Sequence, residues 1–100
     1  MPPTKEQLAA LNRLWNVANG HSSQCRIVAA FLLGLYDGET YTFDLTSFRA
    51  LDTMIFRDCL LVLEMDSNPE REIHQHLGAV NGEFEQLAAA WGLLPSPTLN

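Results

Sequence analysis

The sequence predicts an all-α fold, a compact bundle of five to six helices with one extended connector around residues 39–43. Three observations predict it. Apolar residues recur at spacings of three and four along most of the chain. Residues that cap helices (Thr4, Ser22, Asp44) stand before those runs, and Gly20, Gly78 and Gly92 stand after them. The one alternating stretch, 39–43, has no second strand to pair with.

Thr4 followed by Gln7 is a capping box, and it opens a first helix over residues 4–19 with Leu8, Leu11, Trp15 and Ala18 at helical spacing and Gly20 as its stop. Ser22 or Ser23 caps a second helix. Its Val28, Ala29, Phe31, Leu32, Leu33, Leu35 and Tyr36 leave few polar positions, so this helix is expected at the centre. Asp37-Gly38 ends it, and Tyr41 and Phe43 alternate with polar neighbours in the connector. Asp44 caps a short third helix bearing Leu45, Phe48 and Leu51. Asp52 either caps a fourth helix or sits inside one continuous rod, with Ile55, Phe56, Cys59, Leu60, Val62 and Leu63 on the core face. Ser67-Asn68-Pro69 is a stop followed by a start, giving a short helix from Pro69 to Leu77 closed by Gly78. Asn81 opens a last helix with Phe84, Leu87, Ala88 and Trp91 on one face.

A chain of 100 residues, 47% of them hydrophobic, supplies one core and not two. Residues 1–94 are therefore expected to form one helical domain, and 95–100, which contain Pro95-Ser96-Pro97, a frayed tail. Against 6 basic side chains stand 12 acidic ones, a formal net charge of -6 that repels a phosphate backbone and argues against direct nucleic-acid binding. Most of the excess lies after residue 63, where Glu64, Asp66, Glu70, Glu72, Glu83 and Glu85 face Arg71 alone. The apolar run from Ile27 to Leu35 is about half the length of a bilayer span, and the N-terminus lacks a basic segment leading into an apolar one. With Cys25 and Cys59 expected as reduced thiols, the expected location is the cytoplasm, with no membrane partner.

Candidate chemistry is sparse. His74 and His76 with His21 and Cys25 have spacings that a metal site could use, yet positions 74 and 76 point about 200° apart on a helix. Cys25 in a first helical turn beside His21 meets part of the requirement for an activated thiol, without an orienting third group. The carboxylates at 44, 52, 58 and 66 differ in helical phase, and Arg49 and Arg57 lie among them, so caps and ion pairs (Thr4, Asp44, Arg49 with Asp52) account for them. No glycine-rich loop followed by lysine and no nucleophile-elbow serine occurs. No cofactor is expected and no catalytic or metal-ligating residue is assigned. Tyr36, Tyr41, Phe43 and Phe48 either plug the core beneath the connector or, with the loop open, form an aromatic patch for a partner.

A string of short motifs runs from residue 22 to 91: Ser23-Gln24-Cys25, Val28-Ala29, Phe31-Leu32-Leu33, Leu35-Tyr36-Asp37-Gly38, Phe43-Asp44-Leu45-Thr46, Arg49-Ala50-Leu51-Asp52, Phe56-Arg57-Asp58-Cys59, Met65-Asp66 and Glu72-Ile73-His74. It resembles an uncharacterised bacterial family of small proteins, a domain of unknown function encoded mostly on plasmids and integrative or conjugative elements. The resemblance covers about 70% of the chain and implies a setting, with no reaction or catalytic residue attached. Ser23 stands where that family commonly has glycine, and capping by Ser23 would replace a tight turn. The expected function is that of a non-enzymatic accessory protein of a mobile element that binds another protein through Glu70, Glu72, Glu83 and Glu85 or through Tyr41 and Phe43. One version is an acidic inhibitor of a host defence complex, acting as anti-CRISPR proteins do. The alternatives are a homodimeric module packing through Leu8, Leu11 and Trp15, and a thiol or metal enzyme using Cys25 with His21 or His74.

Overall fold

Helix α2, Ser23–Tyr36, is the element around which the rest is arranged. Ser22 Oγ accepts a hydrogen bond from the Cys25 amide and starts it, and Val28, Ala29, Phe31, Leu32 and Leu33 are buried along it. A helix that is apolar on most sides must be covered on most sides. A computed structural model of the protein, which describes residues 2–68, 71–78 and 82–93, shows how. Helix α1, Lys5–Ala18, packs against both α2 and α3, Thr53–Ser67; a 3-10 helix, Leu45–Ala50, the short α4, Ile73–His76, and α5, Glu83–Trp91, all pack on α2. No strand occurs among the described residues, and the Cα radius of gyration is 12.9 Å, that of a compact chain of this length.

The expected all-α bundle is thus what forms, and most of its starts and stops are the expected ones. Thr4 Oγ1 accepts from the Gln7 amide at 3.0 Å, and Gln7 Oε1 accepts from the Thr4 amide at 3.0 Å, which closes the capping box. Asp44 Oδ1 accepts from the Thr46 amide at 2.9 Å. Gly92 ends α5 in the left-handed region, at φ 68°, where a side chain would be strained.

Several expectations need correction. Asp52 stands at the start of α3 but caps nothing with its side chain; Gln24 takes it instead, donating from Nε2 to Asp52 Oδ2 at 3.2 Å and accepting the Asp52 amide at 2.6 Å. Arg49 consequently forms no ion pair with Asp52, and the ion pair among the described residues is Arg13–Asp58, bidentate at 2.9 Å between α1 and α3. Leu45 and Leu60, assigned to core faces, are 72% and 47% exposed. Of Ser22 and Ser23, the two caps expected for α2, Ser22 is the one that caps it. The short helix expected from Pro69 begins at Ile73, because Gln75 Oε1 accepts from the Glu72 amide and fixes the first turn there. The connector is not extended over its length: the chain turns at 38–40, with the Tyr41 amide donating to Asp37 O at 2.9 Å, and residues 42–44 carry no regular element. Pro69, Glu70, Asn81 and the expected tail 95–100 lie outside the described residues.

Burial divides the leucines sharply. Leu32 is fully buried in α2, so Leu32→Ala is expected to cost about 2–5 kcal/mol in urea unfolding. Leu45→Ala, at an exposed site, is expected to change stability by less than about 0.5 kcal/mol.

Candidate functional site

The connector folds back over α2, and the aromatic rings on and around that helix fall into two groups. Phe31 of α2 meets Phe43 and Phe48 edge-on, with ring centroids 5.7 and 5.6 Å away, and Phe48 meets Phe56 of α3 at 5.3 Å. Tyr36, at the end of α2, stacks on Phe84 of α5 at 4.5 Å and takes the edge of His74 at 5.4 Å. Tyr41, expected as a partner contact, is buried in the core at 9% exposure, and Phe43 is half-buried against it. Of the two readings of these aromatics, the core plug describes Tyr41 and Phe48.

The plug is incomplete. Between α2, the connector, the 3-10 helix and α3 it leaves an open groove of about 220 Å³, lined by Phe31, Gly34, Tyr41, Phe43, Phe48 and Leu63, with Leu45 standing exposed at its lip. Gly34 forms part of its floor: a Cβ there would lie 3.5 Å from Phe43 Cβ and 3.7 Å from Tyr41 O, ordinary contact distances. Glycine in a helix interior costs about 1 kcal/mol relative to alanine. Here the space does not require it, so the cost goes into an open floor. Sequence reasoning missed Gly34 and the outward Leu45; an isolated glycine inside an otherwise apolar helix was the available signal.

The acidic candidates are spread over two helix starts. Glu83 and Glu85 are exposed in the first turn of α5, where negative charge favours the helix. Glu85 is engaged, since Tyr36 Oη donates to its Oε1 at 2.7 Å. That hydrogen bond, with some burial, raises the Tyr36 hydroxyl above its ordinary value. Burial, with Glu85 and Asp37 nearby, does the same to Tyr41. Glu72 precedes α4 and lies close enough to Asp66 to add to the rise that burial gives that carboxyl.

The thiols and imidazoles are not assembled. Some burial pushes the Cys25 thiol up, but hydrogen bonds from Ser22 and from backbone amides between 21 and 25 outweigh it and leave it below the ordinary value. Ser22 Oγ lies 3.1 Å from its sulfur, and no imidazole is hydrogen-bonded to it among the described residues. Gly20 must be glycine for Cys25 to sit there, because a Cβ would lie 2.6 Å from the sulfur. Cys59 is fully buried and pushed up to about 12. His74 packs against Tyr36, His21 is exposed in the turn after α1, and no group of three or more metal-ligating side chains occurs among the described residues. Of Leu8, Leu11 and Trp15, the face named for a second copy, Leu11 is fully buried, Leu8 and Trp15 are half-buried, and Trp15 packs on Phe84 at 4.9 Å. No helix among the described residues is long and apolar enough to cross a membrane.

The model of a family of unknown function, DUF7673, matches residues 8–92, from α1 to the end of α5, and the chain belongs to that family. No curated protein and no solved structure matches the chain.

Both tyrosines of the chain are raised above 10.0 in the folded state, so the folded state favours the neutral phenol. The stabilisation is fully present below the unfolded value near 10 and is lost as pH rises through the folded values. Titration by phenolate absorbance is expected to show both midpoints above 10, and in Glu85→Gln the Tyr36 midpoint returns toward 10 because the hydrogen bond to a carboxylate, and then its charge, is gone.

Proposed function

We propose that this member of the family is a non-enzymatic accessory protein that holds a segment of another protein in the groove between α2, the connector and α3. The groove carries the reading. At about 220 Å³ it falls below the roughly 300–1,000 Å³ of small-molecule sites and suits one large apolar side chain. The exposed Leu45 at its lip and the helix-interior Gly34 in its floor are both unfavourable choices for a chain that only has to fold. Its occupant is a large apolar residue at the centre of the partner segment, and burying such a residue contributes about 1.5–3 kcal/mol.

The proposal extends to setting. The resemblance of residues 22–91 supports a protein carried on a plasmid or integrative element and acting in the cytoplasm. A second reading, the acidic inhibitor that occupies a basic nucleic-acid groove, is favoured by the net charge of -6 and by the exposure of Glu83. The groove reading is preferred because Glu83 and Glu85 already serve the first turn of α5, where negative charge stabilises the helix, whereas folding gives no such reason for Leu45 and Gly34.

Two variants test the groove against a purified partner, with Glu83→Gln as the acidic-end control. Leu45→Asp is expected to weaken binding at least about tenfold with unchanged circular dichroism. Gly34→Ala is expected to raise stability by up to about 1 kcal/mol while weakening binding, a split that a purely structural glycine would not give. Loss of binding in Glu83→Gln with none in Leu45→Asp would move the site to the acidic end.

A further inference from the structure

The groove of the proposed function is lined by apolar and aromatic side chains and two glycines, and acidic residues adjoin Gly38 and Leu45 in sequence. Gly38, which lines it, is flanked by exposed Asp37 and Glu39. Tyr41, which lines it as well, lies within the electrostatic reach of Asp37 and Glu85. Glu85 is fixed at this end of α2 by the 2.7 Å hydrogen bond from Tyr36, so its position does not depend on a flexible side chain. Asp44 immediately precedes Leu45 at the lip. The nearest cation in sequence to the lining is Arg49, next to Phe48, and its charge already acts on Asp44. Arg57 follows Phe56, one ring contact removed from the lining.

Resting on the groove reading, we propose that the occupant is a cationic segment of a partner protein: a large apolar residue with Lys or Arg within about one helical turn of it, the apolar side chain entering between Gly34 and Leu63 and the cations meeting Asp37, Glu39 and Glu85. Charge complementarity selects this occupant over the others. A second copy of the chain would bring its own Leu45 with Asp44 beside it, and -6 against -6 over the whole molecule, so like charges would meet at the lip. A nucleic acid has neither the apolar anchor nor the right sign.

The test is to pan a random 12-residue peptide display library against the full chain, with the Leu45→Asp chain as the counter-target, and to measure the best peptide by fluorescence polarisation. The expected outcome is enrichment of peptides with a large apolar residue and neighbouring Lys or Arg, which bind the Leu45→Asp chain at least about tenfold more weakly. The double variant Glu39→Gln, Glu85→Gln, in which the Tyr36 hydroxyl keeps an acceptor, is expected to lose about threefold to tenfold, and the loss disappears at high salt. Peptides that depend on Leu45 but carry no basic excess, or that bind the double variant undiminished, would overturn the cationic partner and leave the groove standing. Enrichment that ignores Leu45→Asp, or none at all, would overturn the groove itself.

Discussion

The fold depends on covering α2. Its buried run from Val28 to Leu33 has no polar face on which it could rest against water, so every neighbouring element must bring apolar surface to it. Helix α1 does this with Leu11, Leu14 and Ala18 and, by also meeting α3, carries Cys59, Val62 and Met65 into the same core. Helix α5 adds Phe84, Leu87 and Ala88, and α4 adds Ile73. Where no α-helix covers α2, the connector and the 3-10 helix cover it with aromatic rings, and there the cover leaves the groove open. The groove is a consequence of the same constraint that makes the bundle.

Polar side chains decide how the helices are held once they have packed. Gln24 reaches from α2 to the start of α3 and satisfies both the side chain and the amide of Asp52. Gln7, buried in α1, accepts from Thr4 and donates to Glu64 of α3 at 3.1 Å. At the other side, Trp91 Nε1 donates to Ala18 O at 2.8 Å and ties the end of α5 to the end of α1. Each of these groups would cost free energy if left unpaired in a dry position, so they fix register more than they add net stability. Arg13–Asp58 is an ion pair with its arginine 57% exposed, and a pair of that kind contributes about 0–1 kcal/mol.

These two layers also explain what could be read from the sequence. Caps are local, and Thr4, Ser22 and Asp44 do what their spacing says they should. The central place of α2 follows from composition alone. Leu45 opens the 3-10 helix and stays 72% exposed although Phe48, three residues on, packs on Phe31 and Phe56, and no local spacing rule separates the two. Asp52 was expected as a cap or as half of a local pair with Arg49, and no local rule shows that Gln24, 28 residues away, is the partner. The contact of Trp15 with Phe84 of α5 is likewise one that only the tertiary fold supplies. Of the candidate site, Tyr41 and Phe43 were in view, and Gly34, Leu45 and Leu63 come together with them only once the connector has folded back.

The site and the core therefore share residues, with Phe31 and Tyr41 buried on one side and lining the groove on the other. A side chain inserted there would extend the core of the protein by one residue and complete the cover of α2. The most direct measurement is the backbone amide spectrum of the isotope-labelled chain with a bound partner segment. The largest shifts are expected at Gly34, Gly38, Tyr41, Phe43 and Leu45, with Glu72 and Glu83 unmoved; shifts confined to Glu72, Glu83 and their neighbours would contradict the account.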